Sequence, residues 1–202
     1  MHRLRFCLVA VALVLVCAFA AHADIVNPGF ETGNLTGWST SGYAQVVTSW
    51  TGKTLSYLPK EGNYFLSLRG GSVNVLQKVW QDVALQAGDT LGGWAAWAGG
   101  DYLPWNDTGA VSIYDGGGGL LATPWSASVS TFGSSTSGPW TPWSWTASSA
   151  GTYRVMYAAA NYADSSGPSY ALFDTTVPEP GSLALLLTAL PVGLWVRRRK
   201  QR

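Results

Sequence analysis

Short runs of β-forming residues recur between residues 24 and 176, and no stretch there keeps a helical apolar period. Gly, Pro, Asn and Ser separate the runs, a pattern typical of strands joined by turns. Tyr153, Val155 and Tyr157, for example, alternate with Arg154 and Met156, as on a strand with two different faces. The predicted strands lie near residues 43–50, 63–69, 73–83, 90–98, 110–114, 120–125, 141–147, 152–160 and 169–176. So many short strands predict an all-β fold, a two-sheet antiparallel sandwich of the jelly-roll type.

The first 23 residues have the order of a signal peptide. Arg3 and Arg5 precede the apolar run 6–20, and the small-x-small sequence of residues 21–23 follows it. The apolar run is shorter than the about 20 residues that a membrane-spanning helix needs. We therefore expect an N-terminal signal helix, cleaved after Ala23 by signal peptidase, and export of the chain.

The last 26 residues have three parts in a fixed order. Pro178, Glu179 and Pro180 come first, the mostly apolar segment 183–196 follows, and the basic cluster 197–200 comes next. The apolar segment predicts a short hydrophobic helix, and the basic cluster after it favours a cytoplasmic C-terminus. The sequence thus predicts three regions: a signal peptide (1–23), a β-sandwich domain (24–176) and a C-terminal segment (177–202).

This tripartite tail closely resembles the PEP-CTERM sorting signal. The resemblance implies a processing motif at Pro178, Glu179 and Pro180, recognised by an exosortase, a membrane protease. It also implies transient anchoring in the inner membrane of a Gram-negative host that makes extracellular polysaccharide. The product would then reside at the cell surface or outside the cell. An unprocessed single-span anchor is the alternative.

The composition of residues 24–176 excludes several functions. Both Cys and both His residues of the chain precede residue 24, so the domain has no imidazole base, no thiol nucleophile and none of the His or Cys ligands that zinc sites need. Its five Lys and Arg against ten Asp and Glu give a net charge of −5, whereas the whole chain carries +1. An acidic domain with scattered basic residues binds nucleic acid poorly. A non-enzymatic function is therefore expected, and a glycosidase using two carboxylates is the chemically possible exception.

Ten tryptophans lie in this region, more than a domain of this size buries easily. Trp105 and Tyr102 stand in a loop-like stretch, Trp125 follows Pro124, and Trp140 follows Pro139. We predict these four aromatic residues to be exposed and to bind a ligand by stacking.

The two ends of the domain resemble jelly-roll, carbohydrate-binding-like domains of exported bacterial proteins. The matching segments are 25–31 (Ile-Val-Asn-Pro-Gly-Phe-Glu), the Gly37-Trp38 pair and 170–174 (Tyr-Ala-Leu-Phe-Asp). The resemblance implies a structural calcium ion with Glu31 and Asp174 as side-chain ligands. Calcium takes six to eight oxygen ligands, so backbone carbonyls near Gly29 and residues 61–62 would have to contribute. The alternative is that Glu31 only accepts backbone hydrogen bonds. A second acidic set, Asp101, Asp107 and Asp115, is interpreted as a solvated loop.

Three functional hypotheses follow. The first is an exported, non-catalytic surface or matrix protein that contacts polysaccharide through aromatic side chains. The second is a purely structural exported module without a ligand, and the third is the glycosidase. A row of exposed aromatic rings in one groove would favour the first, and a pair of free carboxylates in a cleft would favour the third.

Overall fold

Residues 25–174 of the chain are described by a computed structural model, in which twelve strands form two large antiparallel sheets and one small hairpin. Sheet 1 has the order β1-β6-β11-β8-β9, sheet 2 has the order β10-β7-β12-β5-β2, and β3 pairs with β4. The strands are β1 (Ser39–Ser41), β2 (Ala44–Val47), β3 (Trp50–Thr51), β4 (Ser56–Tyr57), β5 (Phe65–Arg69), β6 (Gln77–Leu85), β7 (Thr90–Ala98), β8 (Thr108–Asp115), β9 (Leu120–Ser128), β10 (Ser137–Thr146), β11 (Gly151–Ala160) and β12 (Tyr170–Asp174). The predicted all-β, two-sheet sandwich is confirmed. The predicted signal helix and C-terminal helix lie outside the described residues.

The helical elements within this region are short. Pro28–Phe30 forms one turn of 3₁₀ helix, and α1 (Val129–Phe132) forms one turn of α-helix. The Ser128 hydroxyl caps α1 by accepting the backbone N–H of Thr131 at 3.2 Å. Within residues 25–174, no helix has the length and apolarity needed to cross a membrane.

Most connections from β5 onward carry the chain from one sheet to the other, the path expected of a jelly roll. Strand β6 shows how each sheet buries one face. Every second residue from Gln77 to Leu85 is buried, and the residues between them are more exposed. This alternation places one side of each sheet in a common core between the two layers.

The core between the sheets is rich in aromatic rings. Tyr157 of sheet 1 is fully buried and stacks on Phe173 of sheet 2, with ring centroids 4.4 Å apart and planes 17° apart. Trp38 stacks on the same tyrosine at 5.4 Å. The two layers are therefore joined by direct ring contacts across the sandwich, in addition to aliphatic packing.

A second, smaller core covers part of the outer face of sheet 2. The β3–β4 hairpin lies there, and its Tyr57 packs with Phe65 and Leu172. The Tyr57 hydroxyl donates to the carbonyl oxygens of Trp97 and Gly138, each at 2.8 Å, and burial raises the pKa of this hydroxyl. The hairpin is thus fixed to two strands of the sheet, and it forms one wall of the groove described below.

The strand predictions differ from the structure in identifiable places. Strand β7 has the predicted bounds, whereas β6 begins at Gln77 and not near residue 73, because residues 72–76 form an exposed turn. The prediction missed β1 and the β3–β4 hairpin, whose strands have only two or three residues each. So few residues show no alternation that a sequence pattern can detect.

Candidate functional site

A groove of about 330 Å³ on the outer face of sheet 2 has aromatic walls. We call it the aromatic groove and define it by Tyr43, Gln45, Trp50, Ser67, Arg69 and Tyr170. Trp50 of the hairpin contacts Tyr170 of β12, with ring centroids 4.3 Å apart, and Tyr43 is 59% exposed. Three rings therefore surround a concave, solvent-open surface.

Arg69 is the charged residue of the aromatic groove. Its guanidinium lies 5.4 Å from the centre of the Tyr43 ring, a cation–π distance. Its Nε atom is buried and has no hydrogen-bond partner among the described residues. The same arginine and Tyr43 also line a neighbouring hollow of about 360 Å³. A planar, multiple hydrogen-bond donor therefore stands among aromatic rings with part of its bonding capacity unused.

A larger groove of about 1070 Å³ lies on the outer face of sheet 1, next to the β8–β9 turn. We call it the charged groove because Lys78, Asp82, Asp115 and Arg154 line it. Arg154 donates to both oxygens of Asp82, at 2.7 and 2.8 Å. Asp115 accepts the backbone N–H groups of residues 117 and 119 at 2.9 and 2.8 Å. Both carboxylates of this groove are therefore engaged within the protein.

The Asp82–Arg154 pair gives a prediction about pH. Hydrogen bonds from Arg154 lower the pKa of Asp82, so the pair stabilises the fold above the ordinary carboxyl pKa and is lost as the pH falls through the lowered value. Because both side chains are close to half exposed, Asp82→Asn should cost only about 0.5–1 kcal/mol at pH 7. Urea unfolding of both proteins at pH 7 and in strong acid measures this. A difference that persists in strong acid would contradict the assignment to this ion pair.

The structure brings together two of the four predicted ligand-binding aromatics. Tyr102 is 53% exposed and contacts the half-buried Trp105 edge-on, with ring centroids 4.7 Å apart. They form a small aromatic pair on the loop between β7 and β8, outside both grooves.

The predicted exposure of Trp125 is wrong, and Trp140 is only partly exposed. Trp125 is 7% exposed and packs edge-on against Phe173 in the main core. Trp140 donates its Nε1–H to Leu58 O at 3.0 Å and packs edge-on against Tyr57. Neighbouring prolines indicated loops, but both tryptophans lie on sheet-edge strands, β9 and β10, where proline is tolerated.

Glu31 and Asp174, the predicted calcium ligands, both contact the segment 60–64. The Glu31 carboxylate accepts the backbone N–H groups of Asn63 and Tyr64 at distances from 2.9 to 3.1 Å. Asp174 accepts those of Lys60 and Glu61 through one oxygen. Both carboxylates therefore hold segment 60–64 by backbone hydrogen bonds, which for Glu31 is the alternative that the sequence left open.

The fit of a calcium ion to Glu31 and Asp174 can be judged from these contacts. The N–H groups of segment 60–64 point their positive ends at the oxygens that a cation would use. Gly62 adopts φ +62° directly against the Glu31 carboxylate, so a Cβ there would overlap it. Within residues 25–174, no three His, Cys, Asp or Glu residues are placed to hold a metal ion. These residues therefore do not fit the ion in the observed arrangement, and calcium here stays a prediction.

The predicted processing motif, Pro178, Glu179 and Pro180, lies outside the described residues, as does the signal peptide. Their roles stay predictions from the sequence.

No family model and no curated protein matches this chain. Among solved structures, a carbohydrate-binding module in complex with beta-1,4-galactotriose is 18% identical, with a TM-score of 0.49 over 77% of this chain and 97% of that one. A family 16 carbohydrate-binding module is 19% identical, with a TM-score of 0.43, over 77% and 99% of the two chains. An arabinose-bound α-L-arabinofuranosidase is 12% identical, with a TM-score of 0.48, over 77% and 26%. Likenesses this distant do not transfer a ligand to this chain.

The aromatic groove was not predicted from the sequence. Ser67 and Arg69 lie on the same side of the predicted strand 63–69, and the outward arginine at its end was a usable signal. Trp50 gave no such signal, because its position depends on the two-residue strand β3.

Proposed function

We propose that this chain is an exported, non-catalytic protein that binds polysaccharide in the aromatic groove. The observation that supports it is the arrangement of Tyr43, Trp50 and Tyr170 around Arg69. Aromatic faces stack on the apolar faces of sugar rings, and arginine and amide side chains fix sugar hydroxyls by directed hydrogen bonds. A small groove lined by three rings and the Arg69 side chain offers both contacts.

A glycosidase is less well supported by the described residues. Glycoside hydrolysis needs one carboxyl group that stays protonated and a second that is free to act as nucleophile or base. In the charged groove, Arg154 lowers the pKa of Asp82, and Asp115 holds the β8–β9 turn. Neither carboxylate is available for the general-acid role. A ligand-free structural module remains the second candidate and predicts no glycan binding.

The binding proposal is tested by affinity electrophoresis and calorimetry with a panel of soluble neutral and acidic polysaccharides. For the glycan that binds, Tyr43→Ala should weaken binding by about tenfold or more, equal to about 1.4 kcal/mol, because a stacking face is removed. Tyr43 is largely exposed, so this variant should fold normally.

Trp105→Ala is the matched control, because it removes an aromatic face on the separate β7–β8 loop. It should leave affinity unchanged if the aromatic groove is the site. Loss of binding in Trp105→Ala but not in Tyr43→Ala would move the site to the Tyr102–Trp105 pair. Failure of the wild-type protein to bind any glycan would favour the structural module.

We also propose that signal peptidase and an exosortase-type enzyme process the two ends before the domain reaches the cell surface or medium. The order of motif, apolar segment and basic cluster at residues 178–200 supports this. Mass spectrometry of the surface-located protein should find a new N-terminus at Asp24 and no peptide from residues 181–202. Recovery of Arg202 in that form would contradict processing.

A further inference from the structure

Arg69 is held between two aromatic residues at the end of β5. Its backbone N–H donates to the carbonyl oxygen of Tyr43 at 3.1 Å, and Tyr170 stands directly opposite it on β12. Backbone contacts on both sides therefore fix the point from which the Arg69 side chain leaves the sheet. From there the side chain lines both the aromatic groove and the neighbouring hollow.

The Arg69 guanidinium has no partner for its charge among residues 25–174. It forms no ion pair and donates no hydrogen bond there. Nε is buried, whereas the terminal nitrogens Nη1 and Nη2 are not, so these two can meet a ligand. The Tyr43 ring attracts the positive charge but offers no lone pair to the N–H groups. Because arginine stays protonated in proteins, this half-buried site keeps a positive charge that an anion would compensate.

The surroundings of Arg69 lack negative charge. Among the described residues, no acidic side chain lines either hollow. Asp164 is next in the chain to the lining residue Ser165, but its Oδ1 accepts a nearby backbone N–H at 2.9 Å. Asp101 and Asp107, which the sequence had indicated as a solvated loop, are instead 4% and 0% exposed and accept backbone N–H groups. The groove is thus locally positive in a domain whose net charge is −5.

A carboxylate is the anion that matches this arrangement. A guanidinium presents N–H groups in one plane, and a planar carboxylate can accept two of them at once. In polysaccharides, carboxylates occur on uronic acid residues, whose rings also have apolar faces. Tyr43, Trp50 and Tyr170 supply aromatic faces in the same groove as the arginine. A uronic acid residue therefore uses both kinds of contact that the groove offers.

We propose that the aromatic groove binds acidic polysaccharide, with the Arg69 guanidinium paired to the carboxylate of a uronic acid residue. This inference rests on the proposed glycan-binding function and adds the class of glycan to it. The net charge of −5 repels a polyanion as a whole, so a preference for an acidic glycan has to come from a local contact.

The test uses polygalacturonate, alginate and glucuronoxylan, each compared with its own carboxyl-reduced form. Reduction replaces the carboxylate by a hydroxymethyl group and keeps the sugar rings and their linkages. For the polysaccharide that binds, calorimetry with the wild-type protein should show about tenfold or greater loss of affinity on reduction, because a charged hydrogen-bond acceptor is removed. Arg69→Gln should bind both forms equally, at about the wild-type affinity for the reduced form.

Lys78→Gln is the matched control, because it also removes one positive charge, but from the charged groove on the other sheet. It should keep the wild-type preference for the acidic form. Tyr43→Ala should weaken the binding of both forms by a similar factor, which separates stacking from recognition of the carboxylate. Thermal melting of each variant checks that it folds, and the wild-type comparison needs no variant.

The possible outcomes separate this inference from the proposed function. If wild type binds the two forms equally, or only the reduced form, the preference for acidic glycan is overturned and glycan binding stands. If Lys78→Gln loses the preference as Arg69→Gln does, the assignment to Arg69 is wrong. If wild type binds neither form of any polysaccharide here nor any neutral glycan, the proposed function fails and this inference fails with it.

Discussion

Replacing Tyr157 by alanine is expected to lower the free energy of unfolding by about 3–5 kcal/mol, the usual cost of truncating a buried aromatic side chain. Tyr157 is fully buried and stacks on Phe173 of the opposite sheet and on Trp38. Burial raises its pKa well above the usual tyrosine range, so the ring stays neutral in ordinary buffers. Its removal leaves a cavity between two sheets whose backbones are fixed by hydrogen bonds and cannot close around it. Urea denaturation monitored by tryptophan fluorescence measures the loss.

Tyr162→Ala is the control for this experiment, because that ring is 54% exposed and lies just beyond β11. It should change stability by less than about 0.5 kcal/mol. A loss below about 1.5 kcal/mol for Tyr157→Ala would show that the two layers do not depend on this ring stack.

The two-sheet fold was predictable from the sequence because its long strands alternate. In β11, Tyr153, Val155 and Tyr157 face the core as their alternation in the sequence predicts, although burial itself alternates only around Arg154, because Met156 and Ala158 are buried too. The strand predicted to begin near residue 73 was too long, because the apolar residues at its start do not belong to a strand. Val73, Val75 and Leu76 are apolar but 41–50% exposed, because they belong to the turn before β6.

The candidate site was less predictable than the fold, because it depends on which strands lie at the sheet edges. Proline beside Trp125 indicated a loop, yet β9 is the last strand of sheet 1 and its backbone has a free side where proline fits. The tryptophan next to it could therefore point into the core. Strand order of this kind is a property of long-range pairing and is absent from local sequence patterns.

The aromatic groove also depends on long-range contacts that local sequence patterns do not show. Arg69, Trp50 and Tyr170 come from three separate parts of the chain and meet only when the β3–β4 hairpin lies on sheet 2. By contrast, Glu31 and Asp174 were predicted as calcium ligands from their place in the opening and closing segments, and that role stays a prediction. A resemblance in two fixed motifs carried that prediction, and the groove has no such motif.

Asp174→Asn is expected to destabilise the domain by about 2–3 kcal/mol in buffer that contains EDTA. Asp174 is 1% exposed and accepts the backbone N–H groups of Lys60 and Glu61, and hydrogen bonds to a charged acceptor are worth about 1.5–3 kcal/mol. Asparagine keeps the shape of the side chain but loses its charge. Its NH₂ group can also face a backbone N–H group, and two donors cannot form a hydrogen bond. Urea unfolding in EDTA and in calcium chloride measures both the loss and its dependence on metal.

Glu61→Gln is the matched control, since Glu61 is exposed on the same segment and only its backbone contacts Asp174. It should match wild type within about 0.5 kcal/mol in both buffers. If Asp174 acts by holding segment 60–64, Asp174→Asn is less stable than wild type without metal, and this loss of stability changes little when calcium is added. If Asp174→Asn is as stable as wild type in EDTA and less stable than wild type only in calcium, Asp174 does not act by holding the backbone of segment 60–64. The resemblance to calcium-binding jelly-roll domains then extends to the ligands themselves.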